Sequence, residues 1–93
     1  MPQNFARIID RRVARRIRER RLGIGMTQNE LARILGVAFQ QAHKYERGIS
    51  RVSAGRLYHI ATALNTPIEY FFAAEEASKD AFEAAHGEAG DAA

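Results

Sequence analysis

Apolar residues recur at helical spacing along most of the chain, and no strict apolar/polar alternation persists beyond a few residues. The pattern predicts five helices and no strands. Ile9, Val13 and Ile17, each four apart, mark one stripe of a first helix over residues 8–22. Asp10 falls in its expected first turn, where the helix dipole favours a carboxylate. Gly23 and Gly25 break it. Thr27 and Glu30 form a capping-box pair that opens a second helix, with Leu31, Ala32 and Leu35 inward and Gly36 at its end. The stretch Ala38 to Gly48, "AFQQAHKYERG", is the third. Ser53 caps a fourth, striped by Leu57, Ile60, Ala61 and Leu64, with Asn65 as its left-handed terminator. Thr66, Pro67 and Glu69 read as cap, first turn and second capping box of a fifth helix, whose apolar face is Ile68, Phe71 and Phe72.

The pattern stops after Ala74. Residues 75–93 are rich in Ala, Glu and Gly, with Phe82 the one large apolar residue. Such a segment buries too little surface to order itself. It reads as a disordered tail, or as a short helix near residues 78–85 that docks Phe82 on the body or on a partner. The organisation is therefore one domain over residues 1–74 and an acidic tail over 75–93.

Charge follows the same division. Residues 1–74 carry 13 basic against 5 acidic side chains; residues 75–93 carry one against six. A basic body points to a polyanionic partner, although a solvated basic surface gives the same count. Other chemistry is poorly supported. The chain has no cysteine, and His43, His59 and His86 lack metal-ligand spacing, so no metal site is expected. No Ser-His-Asp set, paired carboxylates or phosphate-cradling loop occurs, and the glycines near residue 24 follow no strand. No catalytic activity and no cofactor are expected. No apolar run is long enough to span a membrane and the N-terminus does not read as a signal peptide, so a cytoplasmic protein is expected.

The third helix is the most informative stretch. Projected at about 100° per residue, Ala38, Gln41, Ala42, Tyr45 and Glu46 fall on one half. Phe39, Gln40, His43, Lys44 and Arg47 fall on the other. The first set can pack. The second is a row of hydrogen-bonding and cationic groups with one ring, suited to a major groove: Gln pairs bidentately with adenine, Lys donates to guanine, and a ring covers a thymine methyl. A plain polar surface helix is the competing reading. The preceding residues favour DNA: Gln28, Ala32, Gly36, Val37, Ala42 and Tyr45 have the spacing of a helix-turn-helix, in which small residues allow two helices to cross closely.

With "MTQNELARILGV", "KYERG" and "IATALNTPIEYFF" in that order, the chain resembles the phage-repressor and Cro-type helix-turn-helix family, also called XRE, over roughly residues 13–72. The resemblance implies a compact all-α, five-helix, lambda-repressor-like domain that binds double-stranded operator DNA, usually as a homodimer and usually to repress. It implies base contacts from Phe39, Gln40, His43 and Lys44. Backbone contacts fall to Gln28, Gln41, Arg47, Ser50 and Arg51. It implies a buried ion pair between Arg21 and Glu46, which the helix projections also favour. Helix five, with Phe71 and Phe72, and the tail, with Phe82, are the candidate dimer surface, with plain core packing as the alternative for the helix-five aromatics. One departure is Ala38, where the family usually has a capping Ser or Thr. The eight arginines of the first helix surround it; Arg11, Arg15 and Arg18 read as solvated surface. A second reading keeps the fold but makes the chain an antitoxin-like interaction module, whose tail binds a partner protein and whose DNA binding serves autoregulation.

Overall fold

A computed structural model describes residues 3–74. Four helices form: α1 (Phe5–Gly23), α2 (Gln28–Leu35), α3 (Phe39–Arg47) and α4 (Ala54–Ala63). A 3₁₀ segment, Ile68–Phe72, follows, and there is no strand among the described residues. The expected tail, with Phe82, lies outside the described residues. No helix among them is long and apolar enough to cross a membrane.

Local chemistry explains most boundaries. Thr27 is in extended conformation, and its hydroxyl accepts from the Glu30 N–H at 3.0 Å. The Thr27 N–H donates back to Glu30 Oε1 at 2.7 Å, so two otherwise unpaired helix-start donors are satisfied. Gly36 takes φ 71° and returns α2's last carbonyls to the turn: its N–H donates to Arg33 and that of Val37 to Ala32. Ser53 accepts from the Arg56 N–H at 3.1 Å and opens α4. Asn65 adopts φ 51° after α4.

Glu30 gives this cap a pH signature. Its carboxyl is held below the ordinary value of 4.5, chiefly by the Thr27 backbone N–H, then by the Thr27 hydroxyl, with Arg33 adding and slight desolvation opposing. A folded value below the unfolded one contributes stability above the unfolded value, and that contribution is lost as pH falls through the folded value. Melting of the parent and Glu30→Ala should therefore differ at neutral pH and converge below the ordinary carboxylate range.

The core lies between α1, α2, α4 and the 3₁₀ segment. Ile17, Leu31, Ile60, Leu64 and Phe71 are fully buried at its centre, with Val13, Leu35 and Leu57 around them. Ile9, Val37 and Ile68 pack at the margin. Here the fold departs from expectation in three places. First, α1 starts at Phe5, three residues early, so Asp10 lies a full turn beyond the helix start and does not serve its dipole. Second, the fifth helix is a five-residue 3₁₀ segment flanked by Pro67. Thr66 does not cap it: its hydroxyl donates to the Leu64 carbonyl at 2.8 Å and accepts from Arg20 Nε at 2.8 Å. The second capping box with Glu69 is absent. Third, Phe71, a candidate dimer residue, is fully buried in this chain's own core, while Phe72 is 44% exposed. The short segment is held by tertiary interactions with α1, and these turn Phe71 inward.

Three arginines supply that hold. Arg12 Nη1 donates to the Phe72 carbonyl at 3.0 Å. Arg16 is buried; its guanidinium donates to the carbonyls of Ala73 and Ala74 and lies 4.9 Å from the centre of the Tyr70 ring. Arg20 reaches Thr66, as above. Arg12, Arg16 and Arg20 are four apart, so α1 presents them as one stripe beside its apolar one. Hydrogen bonds from this stripe to carbonyl and hydroxyl oxygens keep the end of the domain on α1.

Candidate nucleic-acid interface

The turn at Gly36 sends α3 across α2, and α3 also packs on α1. Ala42 and Glu46 are the buried side chains of α3, at 0% and 4% exposure. Gln41 and Tyr45, one turn apart, are half-buried along one flank. The remaining residues, Phe39, Gln40, His43, Lys44 and Arg47, are all exposed, so one continuous face of the helix is open to solvent.

The inner face is held by charge as well as by packing. Arg21 Nε lies 2.5 Å from Glu46 Oε2, and Arg21 Nη2 donates to Glu46 Oε1 at 3.0 Å. This is the bidentate fork that a guanidinium forms with a carboxylate. Gln28 Nε2 donates to the same Oε1 at 3.0 Å, and Arg21 Nη1 donates to the Met26 carbonyl at 2.7 Å. One carboxylate on α3 thus joins α1 to the first residue of α2, and its partner Arg21 also holds the α1–α2 turn. No buried side-chain polar atom among the described residues lacks a partner. The arrangement fixes the angle at which the outer face of α3 is presented.

The helix start is weaker. Ala38 has the backbone geometry of an N-cap, φ −67° and ψ 152°, without a side chain to use it. Ala38→Ser should add a hydroxyl acceptor for the N-terminal N–H groups of α3. We expect the variant to gain about 0.5–1 kcal/mol, the lower part of the range for such caps, measured by urea unfolding.

At the other end, Gly48 adopts φ 73° and turns the chain sharply, with the Ile49 and Ser50 N–H groups both directed at the Lys44 carbonyl. Arg51 follows, highly exposed and 3.1 Å from Asp10 on α1. A pair so open to solvent is worth about 0–1 kcal/mol.

A family model described as helix-turn-helix matches residues 17–71, more than half of the chain. This protein belongs to the XRE-type helix-turn-helix family of DNA-binding transcriptional regulators. A Rhodospirillum rubrum protein, described as an uncharacterized transcriptional regulator in the ATPase CF(0) region, is 52% identical over 75 residues, which cover 77% of this chain and 69% of that protein. A Sinorhizobium medicae helix-turn-helix-type regulator is 50% identical over 64 residues, 69% of this chain and 46% of its own. One from Rickettsia conorii is 44% identical over 72 residues, 76% of this chain and 58% of its own. The chain thus spans a little under half the length of the Sinorhizobium relative and about two-thirds of the Rhodospirillum one.

In this helix-turn-helix protein the residues singled out from the sequence fall into three places. Phe39, Gln40, His43 and Lys44 share the open face of α3, with Arg47 at its end. Gln28 and Gln41 lie half-buried at the flanks, Gln28 engaged with Glu46. Ser50 and Arg51 occupy the following loop. Sequence reasoning did not single out Arg56. Its Nη1 donates to the Leu35 carbonyl at 3.0 Å, closing the end of α2 from α4 just before the turn. Nor did it separate Arg12, Arg16 and Arg20 from the other arginines of α1. Their four-residue spacing beside the Ile9, Val13, Ile17 stripe was the signal that could have done so.

Proposed function

We propose that the protein is a sequence-specific repressor that binds a palindromic operator as a homodimer, with α3 of each chain in a major groove. The observation that carries this reading is the division of α3: a buried side fastened by Arg21, Gln28 and Glu46, and an open side holding Phe39, Gln40, His43 and Lys44. A reader of base edges needs both, because bidentate pairing depends on where the donors are placed. Gln40 and Lys44 supply the hydrogen bonds, and Phe39, 46% exposed, supplies an apolar surface for a thymine methyl. Gln28, Gln41, Arg47, Ser50 and Arg51 position the domain on the phosphates. Phe72, at the lip of a cleft lined by Ile9, Val13 and Leu57, is the apolar group offered to a second copy in place of Phe71.

Selection of bound duplexes from a random pool, followed by sedimentation on the selected duplex, tests the reading. An inverted repeat with half-sites about 10–10.5 base pairs apart, carrying two chains, is expected. A single unrepeated motif carrying one chain would remove the homodimer, and no motif at all would remove sequence-specific reading.

A further inference from the structure

The arginines of α1 outside the clamp form a second stripe. At about 100° per residue, Arg7, Arg11, Arg15 and Arg18 fall within an arc of about 80°, across the apolar stripe from Arg12, Arg16 and Arg20. Arg11, Arg15 and Arg18 line a groove of about 470 Å³ together with Ala14, Glu46 and Arg47. Ala14, which is buried, is the one small residue that lines it. Four guanidinium groups therefore border one open depression between α1 and the end of α3. The single acid lining it, Glu46, already has both oxygens engaged by Arg21 and Gln28. Arg15 takes part in a further interaction of its own. Arg11 also lines an adjoining groove with Arg7, Asp10, Gly48, Ile49 and Arg51, where Asp10 pairs with Arg51 and the balance stays basic past the end of α3.

Guanidinium groups gathered round one depression give it a positive potential that attracts an anion, and the planar guanidinium fork fits phosphate oxygens in particular. We propose that this groove binds a phosphate group, and that the phosphate belongs to the DNA backbone outside the half-site read by α3. The placement supports that source: Arg47 lies on the helix that reads, and the basic track runs from it along α1. This inference rests on the DNA-binding reading above. It gives a ligand to Arg11, Arg15 and Arg18, which the sequence reads as largely solvated surface.

The test is Arg11→Gln/Arg18→Gln, two exposed positions whose loss should leave melting unchanged. Affinity for a random duplex is measured across salt concentrations, with Arg33→Gln, which removes one charge elsewhere, as control. The slope of log affinity against log salt should become shallower by about 0.9 for each phosphate that the variant no longer neutralises. The operator-to-random ratio and the control slope should stay at parental values. A second arm titrates parent and variant with inorganic phosphate, read by NMR of the arginine Nε–H groups. Saturable shifts in the parent alone, with equal DNA slopes, would keep the phosphate site and assign it to a free phosphate. Parental slopes together with no saturable phosphate shifts would overturn the proposal. If the parent itself does not bind DNA, the repressor reading fails, while the phosphate titration still decides the groove.

Discussion

Arg21→Met should destabilise the domain by about 3–5 kcal/mol, the cost of leaving a buried carboxylate without its partner. Glu46 is 4% exposed, and Arg21 provides two of its three hydrogen bonds. Gln28 alone cannot neutralise it. For a domain of this size such a loss lowers the melting temperature by more than about 10 °C, readable by circular dichroism. The pair itself is a weak net stabiliser, because two charges had to leave water to form it. Arg21→Met/Glu46→Leu should therefore recover most of the lost stability. It should not recover base preference, since packing alone then holds α3, without the directional bonds from Arg21 and Gln28. A double variant that melts like Arg21→Met would mean that the damage came from the Met26 carbonyl or from packing, not from the stranded carboxylate.

The second large effect concerns recognition. Gln40→Ala and Lys44→Ala remove exposed side chains with no part in the core, so stability should change by less than about 0.5 kcal/mol. Each should reduce discrimination between operator and random duplex by about 1–3 kcal/mol, the usual worth of a good base contact. Arg47→Ala should behave differently. It should weaken operator and random duplexes alike and make the salt dependence shallower by about one unit of slope. Equilibrium titrations at several salt concentrations separate the two behaviours. If Lys44→Ala instead shows the Arg47 pattern, Lys44 serves the backbone and reading falls to Phe39, Gln40 and His43.

The parts of the fold that were legible in the sequence are those decided by chemistry a few residues long. Thr27 with Glu30, Gly36, Ser53 and Asn65 each satisfy a backbone group or backbone angle that their neighbours create, so their roles could be read in place. The inward and outward sides of α3 were legible because helical periodicity is fixed. What failed was decided by distant partners. The fate of Phe71 and Phe72 depends on how the 3₁₀ segment is held by Arg12, Arg16 and Arg20, 46 to 60 residues away along the chain. Thr66 looked like a cap because its spacing to Glu69 was right, but Arg20 takes its hydroxyl oxygen. The early start of α1 had no strong signal: Asn4 precedes it and its side chain makes no capping bond. Arginine is the residue type that misled most. On α1 it serves as a buried ion-pair partner at Arg21, as a clamp at Arg16, and as an exposed charge at Arg11 and Arg18. One-dimensional spacing separates these roles only once the apolar stripe is used as the reference.

The central claim is that the open face of α3 reads bases directly, and substituting each operator base pair in turn tests it most directly when parent and Gln40→Ala are titrated in parallel. The parent should discriminate at every contacted pair. Gln40→Ala should lose discrimination at one pair in each half-site and keep it at the others. Identical base-by-base profiles for parent and variant would contradict the claim, and would place the reading of sequence elsewhere on the domain.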